Sequence, residues 1–354
     1  MTKLSSNPAE ISVALITMDN FRSLSQLLQY IQAQTAKARI EVIIICPTLA
    51  ELALDVEQLQ GFAAFKVVPI GPINNLHEPR IAAMRNATAP IVAFTEDHCF
   101  PAPEWAAALI EAHRGPWAAV GPIIGLANPQ HHRAWASYFM QYGNWVAGSG
   151  RLGGESSDVA GHNSSYKRDV LLAYGADLDR LMVFETTLHE ELVARGHRLY
   201  VAADARSYHV FITRLRPFLV EHFHIGRLLA ATRRRRWSAG RRLVYVLASP
   251  LIPLVRLYRI LGMIRKNDLQ KDLLPGIVPP LLAGLLVSAA GECAGYATGI
   301  GRAAEESVDL DMNRWRYVMD EEKAVLWSGK MLRFSPEPPR PGKGAKLSHP
   351  GQPG

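Results

Sequence analysis

Three side chains with oxygen or nitrogen donors, Glu96, Asp97 and His98, stand at the exit of an apolar run, residues 90–95 (PIVAFT). Packing alone would not place them there. A carboxylate pair at that point can hold Mg²⁺ or Mn²⁺, and such an ion screens a diphosphate and makes it a better leaving group. The ligands would be Glu96 with His98, or Asp97; the same triplet also reads as a solvated turn with a helix cap. Upstream, Arg80 and the pair Arg85-Asn86 share one predicted helix, where guanidinium groups suit a diphosphate, although each is also an ordinary surface residue. Further on, Glu185 opens another predicted helix and His189 follows four residues later, on the same face. A carboxylate there can take the proton of an attacking hydroxyl, or it caps the helix amides while His189 packs. Glu190 and Glu191 read as solvated face residues, with Glu190 the second candidate base.

These residues need a frame. Residues 11–17 (ISVALIT), 40–46 (IEVIIIC), 65–70 (FKVVPI), 90–95 and 117–124 are short apolar, β-branched runs of the buried-strand type. Residues 21–35, 50–59, 78–87 and 103–113 read as helices between them. That alternation predicts an α/β domain with a mostly parallel sheet covered by helices. In such sheets ligands gather beyond the carboxyl ends of the strands, which singles out Thr17 with Asp19 just after it, Cys46, and the Glu96–His98 triplet. Residues 128–155 read as irregular, 185–195 as a helix closing at Gly196, and 200–201 and 207–210 as short strands.

The chain has 354 residues, 48% of them hydrophobic, enough to bury one large core and carry an appendage. The domain is expected to span residues 1–217. The chain's formal charge of +7 is concentrated in Arg227, Arg233–Arg236, Arg241 and Arg242, directly before the charge-free runs 243–255 and 273–291. A basic cluster against an apolar segment favours an anionic membrane surface over nucleic acid as partner. The second run has 19 residues (273 to 291), near the roughly 20 of a spanning helix. Pro275, Pro279, Pro280 and several glycines are expected to break it, giving an interfacial or re-entrant hairpin within a 218–300 membrane-associating region. Residues 301–334 read as a helical segment and 335–354 as a disordered, proline-, glycine- and lysine-rich tail. Three widely spaced cysteines suggest no disulfide framework, and the polar first ten residues lack a signal-peptide core, so the expected setting is the cytoplasmic face of a membrane.

The order of these segments resembles the family 2 glycosyltransferases of the GT-A fold. ISVALIT-MDN, IEVIIIC and RIAAMRNATAPIVAFTEDHCFPAPEW carry the likeness first. The family's acceptor-side Gly-x-Asn segment is similar to residues 161–168 (GHNSSYKR), placing His162 and Asn163 on the acceptor side. Its Glu-Asp helix is similar to residues 185–196, and its exit strand to 202–209. The resemblance, over about residues 11–210, implies a nucleotide-sugar donor contacted through Thr17, Asp19, Arg80, Arg85, Asn86, Glu96 and Asp97. It also implies a divalent metal and an inverting transfer to a lipid-linked or glycan acceptor. The chain departs from the family at three acidic positions: Glu96-Asp97-His98 replaces Asp-x-Asp, the second strand ends without acidic residues, and Thr186 stands where the aspartate base is expected. Arg236-Trp237 matches part of the Gln-x-x-Arg-Trp motif of processive members, but the same residues suit an interfacial anchor.

Other readings are a GT-A protein handling nucleotide sugars without transfer to a lipid, and a lapsed member acting as a membrane-bound assembly subunit. No Gly-x-Gly-x-x-Gly follows the first strand and no Gly-Lys-Ser/Thr loop occurs, which disfavours dinucleotide and P-loop enzymes.

Overall fold

In the computed structural model the described residues are 2–4, 8–18, 22–50, 52, 54, 56–143, 153–235, 237–266 and 273–334. Their strands are β1 (Thr2–Leu4), β2 (Ile11–Ile16), β3 (Ile40–Cys46), β4 (Ala64–Pro69), β5 (Ile91–Phe94), β6 (Cys99–Pro101), β7 (Trp117–Leu126), β8 (Gly154–Ser156), β9 (Ser165–Lys167) and β10 (Arg198–His209). They form one sheet in the order β1-β4-β3-β2-β5-β9-β7-β10-β6, with β8 also on β10. β4, β3, β2 and β5 are parallel, as are β7 and β10, and β9 runs antiparallel between the two blocks. β3 is buried at every position because helices cover both faces. Its one charged residue, Glu41, survives there because the Ser12 hydroxyl and the Thr88 amide donate to its carboxylate.

The structure changes four expectations. The helix expected over residues 50–59 does not form among the described residues: only Val56–Leu59 make a 3₁₀ turn, and Leu52 and Leu54 both pack on the core at a spacing of two that an α-helix cannot place on one face. The irregular stretch contains the helix His132–Tyr142, stabilised by burying Trp135, Tyr138 and Phe139. The two short terminal strands are one, β10, with a register shift between Ala202 and Arg206. The prolines do not break the second apolar run, since Leu274–Thr298 is one continuous helix. Pro275 sits in its first turn, where no amide partner is needed. Pro279 and Pro280 forgo only two bonds near that end.

Its glycines are packing devices. Leu274–Thr298 crosses the helix Leu215–Arg234 closely, and a Cβ added at Gly291 would lie 2.0 Å from the Phe223 carbonyl oxygen, one at Gly226 2.1 Å from that of Ser288. Residues 303–334 then return to the α/β domain, where Gln26 donates to the Lys330 carbonyl and Leu332 donates to the Tyr30 hydroxyl. Gly291→Ala is expected to lower stability by about 1–3 kcal/mol through this overpacking, read as an earlier denaturation midpoint of the detergent-solubilised protein. Gly240→Ala, whose Cβ would meet nothing within 4 Å, is expected to be neutral or stabilising by up to about 1 kcal/mol.

Candidate active site

The carboxyl ends of β2, β3 and β5 open on one side of the sheet. Thr17, just past β2, is buried with its amide bonded to the Ile45 carbonyl, and Glu96 lies two residues past β5. Because β9 runs antiparallel beside β5, the loop that enters it, residues 161–164, is set against Glu96. There Asn163 Nδ2 donates to Glu96 Oε2 at 2.7 Å while the Glu96 amide donates to Asn163 Oδ1 at 3.2 Å. His162 Nδ1 lies 2.7 Å from Glu96 Oε1, and its Nε2 lies 3.0 Å from Glu185 Oε2. The other Glu185 oxygen pairs with the Arg80 guanidinium, both side chains buried. Gly161 permits this approach, since its Cβ would stand 3.0 Å from that of Glu185.

The chain Arg80–Glu185–His162–Glu96 is an alternating row of charges removed from water. Burial and the Arg80 charge work against protonating His162, but Glu185 and Glu96 on either side raise it to about 10. Burial works against the charged Glu185, yet the His162 imidazolium and Arg80 hold it at about 2. Glu96 is likewise held well below the usual carboxylate range, against burial, by its imidazole neighbours.

A second group meets Glu96 from behind. β10 ends antiparallel to β6, so His209 sits opposite Cys99, and its ring lies edge-on to that of His98 with centroids 4.8 Å apart. His98 Nδ1 bonds Asp97 Oδ1 at 2.8 Å. Its Nε2 is buried with no hydrogen-bond partner among the described residues, 3.7 Å from Glu96 Oε2 and 4.0 Å from Asp311 Oδ1. His209 Nε2 lies 3.2 Å from Glu96 Oε2. Burial first, then the Arg314 charge, pushes His98 to about 4; burial likewise brings His209 to about 3, so both imidazoles are neutral at pH 7. Glu96, His98 and His209 form one set of possible metal ligands, and Glu96, His162 and Asp311 another, each with donor atoms within 4.8 Å. Donor separations of 3.2–4.0 Å compare with the roughly 3–3.5 Å found between ligands of an ion whose bonds are about 2.1 Å. A void of ≈ 20 Å³ walled by Arg80, Glu96, His98, His162 and Asp311 is large enough for one atom-sized guest, for which about 10–15 Å³ suffices. Asp97 holding His98 by Nδ1 is the usual second-layer support of a histidine ligand.

The sequence-based candidates thus separate. Glu185, Arg80, Glu96, Asp97, His98, His162 and Asn163 are brought together. Arg85 and Asn86 end the helix His77–Asn86 away from them, Arg85 exposed near Asp179 and Asn86 bonding Ala82 and Lys66. His189 is locked between Asp158 and Tyr166, while Glu190 lines a separate cavity with Arg233 and Trp237. Asp19 lies outside the described residues. His209 and Asp311 were not foreseen; the strand-end rule would have found His209, whereas nothing in the local sequence marks Asp311.

Residues 56–175 match the family described as glycosyl transferase family 2. That segment is about a third of the chain, and over it the sequence has the character of a family 2 glycosyltransferase domain. Its mostly parallel sheet with covering helices is of the GT-A type. No curated protein sequence matches the chain. Among solved structures it is similar to S. aureus TarS 1-349, at 16% identity, 80% of this chain and 90% of that one, TM-score 0.41. It is also similar to the mannosyltransferase PcManGT from Pyrobaculum calidifontis in complex with GDP-Man and Mn²⁺, at 16% identity, 92% and 86% coverage, TM-score 0.47. The matched segment carries Arg80, Glu96, His98, His162 and Asn163, whereas Glu185, His209 and Asp311 come from outside it.

Because the folded-state value of His162 is raised to about 10 from 6.5, the stability it contributes is complete below pH 6.5 and is lost as pH rises through 10. In chelator, the stability gap between the native protein and His162→Gln is expected to shrink across that window in denaturant melts. A gap constant with pH would mean that His162 is not an imidazolium.

Proposed function

We propose that this glycosyltransferase moves a sugar from a nucleotide-diphosphate donor to a lipid-linked or glycan acceptor at the cytoplasmic face of a membrane, with inversion and with a divalent metal, Mg²⁺ or Mn²⁺. The observation that carries this reading is the single cavity of ≈ 760 Å³ onto which Glu96, His162, Glu185, His209 and Asp311 all open. Glu96, His98, His209 and Asp311 would hold the metal, which when bound supplies positive charge that stabilises the departing diphosphate. Glu185 is the base: its carboxylate takes the acceptor hydroxyl proton as the acceptor oxygen bonds the anomeric carbon and the bond to the diphosphate breaks. One base acting opposite the leaving group is the arrangement of a single displacement, hence inversion. Arg80 holds Glu185 ionised until a diphosphate competes for its guanidinium. The membrane assignment draws on the segments Ala239–Arg265 and Leu274–Thr298, both long and apolar enough to cross a bilayer; only 11% of the most apolar window of the first is buried within the protein, against 39% for the second. Nucleic acid is not a partner in this reading.

Thermal stabilisation of the detergent-solubilised protein by a panel of nucleoside diphosphates and nucleotide sugars, with Mn²⁺ or with chelator, tests the donor site. A metal-dependent shift for one nucleotide class is expected, and no shift with any of them would remove the assignment. Glu96→Ala is expected to abolish that shift. Glu185→Gln is expected to keep it while lowering kcat about 10²- to 10⁴-fold; a fully active Glu185→Gln protein would place the base elsewhere.

A further inference from the structure

The cavity in front of Glu185 is lined by two chemically different groups of side chains. One is the acidic and histidine set already described. In the other, the helix Ile252–Lys266 presents Arg256, Arg259, Ile260 and Met263, spaced i, i+3, i+4 and i+7 and therefore on one face. The helix Leu215–Arg234 faces it with Ile225, Leu228, Leu229 and Arg233. Arginines from two helices thus converge where the surrounding wall is apolar. Arg256 is held by Ser288 Oγ at 3.0 Å and Glu292 Oε1 at 3.4 Å, which offsets one of the three charges. Arg259 forms no ion pair among the described residues. Outside the cavity the segment Ala239–Arg265, which contains Arg256 and Arg259, exposes Leu247, Leu251, Leu254 and Tyr258 at 72, 61, 61 and 80%, an apolar face of the kind that marks an interaction surface.

We propose that this cavity is the acceptor site for a membrane lipid with a phosphate in its headgroup. The hydrocarbon lies along the exposed apolar face, Arg233, Arg256 and Arg259 hold the phosphate, and a hydroxyl beyond it reaches the Glu185 carboxylate. The inference rests on the reading of Glu185 as the base. The lining sets the direction of entry: Arg233 and Arg259 offer a phosphate charge-assisted bonds, whereas the charges of Glu96, Glu185 and Asp311 are already met by His162, Arg80 and Arg314. The acceptor is thereby turned with its hydroxyl toward the carboxylates. The hydroxyl oxygen bonds the anomeric carbon, its proton passes to Glu185, and the nucleoside diphosphate leaves with the electrons of the broken bond.

Vesicle flotation of the full chain tests this, with vesicles of phosphatidylcholine alone or mixed with phosphatidic acid, and with glycerol phosphate as a soluble competitor. Phosphatidic acid is expected to strengthen association. Arg233→Gln and Arg259→Gln are each expected to weaken it about tenfold or more, as for loss of a charge-assisted bond. Arg265→Gln, on the same helix but not lining the cavity, should cost at most about fivefold, the scale of one surface charge near an anionic bilayer. Equal losses in all three variants, or no dependence on phosphatidic acid, would overturn the site. Complete displacement by glycerol phosphate would overturn the lipid as its occupant. The nucleotide-induced thermal shift, measured on the same variants, is expected to be retained; its absence from the native protein would sink the donor reading without bearing on the vesicle result.

Discussion

The buried charge of Glu96 is the constraint around which the catalytic side of this protein is built. A carboxylate cannot be removed from water alone. Here its oxygens are met by His162 and Asn163 from the loop before β9 and by His209 from the end of β10. Those partners lie 66, 67 and 113 positions away in the chain, and they converge because β9 is inserted antiparallel beside β5 while β10 returns against β6. Through His162 the same charge fixes Glu185, and through Glu185 it fixes Arg80. A change at any member leaves a neighbour charged and unpaired, at a cost of about 3–5 kcal/mol for a buried pair.

The segment after the α/β domain completes this centre. Arg314 reaches Glu221 at 2.7 Å and Asp311 at 3.1 Å, all three buried, and Asp311 thereby faces His98. Glu221 lies on the helix that also carries Arg233, so the buried carboxylates and the arginines of the cavity share one scaffold. The helix Leu274–Thr298, which crosses that helix closely at Gly226 and Gly291, also holds Arg256 of the helix Ile252–Lys266 through Ser288 and Glu292.

The resemblance to the glycosyltransferase family was legible because strand–helix alternation and strand-end chemistry are local in sequence. The parallel core, the helix starting at Glu185 and the grouping of Glu96 with His98 followed from that. The residues that joined the group unannounced, His209 and Asp311, lie at the end of a bulged strand and in a returning helix, and no periodicity records which distant side chain they will face. The same holds for Arg85 and Asn86: helical spacing put them with Arg80, but a helix turns away from a site within a few residues, and these two sit at its far end.

The prolines of the 274–298 helix show how tertiary packing can override local propensity. Taken alone they break a helix, but near its start the lost amide bonds are few, and the glycines that weaken it gain close contact with a second helix. By itself the sequence determined the α/β class, the cluster of Glu96, Asp97 and His98 at the end of β5, and the basic and apolar character of residues 227–291, all set by patterns within a few residues. The tertiary structure alone decided which carboxylate faces which imidazole, that arginines from two helices line the cavity leading to Glu185, and that the returning C-terminal segment closes the site, because those facts depend on pairings between residues far apart in the chain.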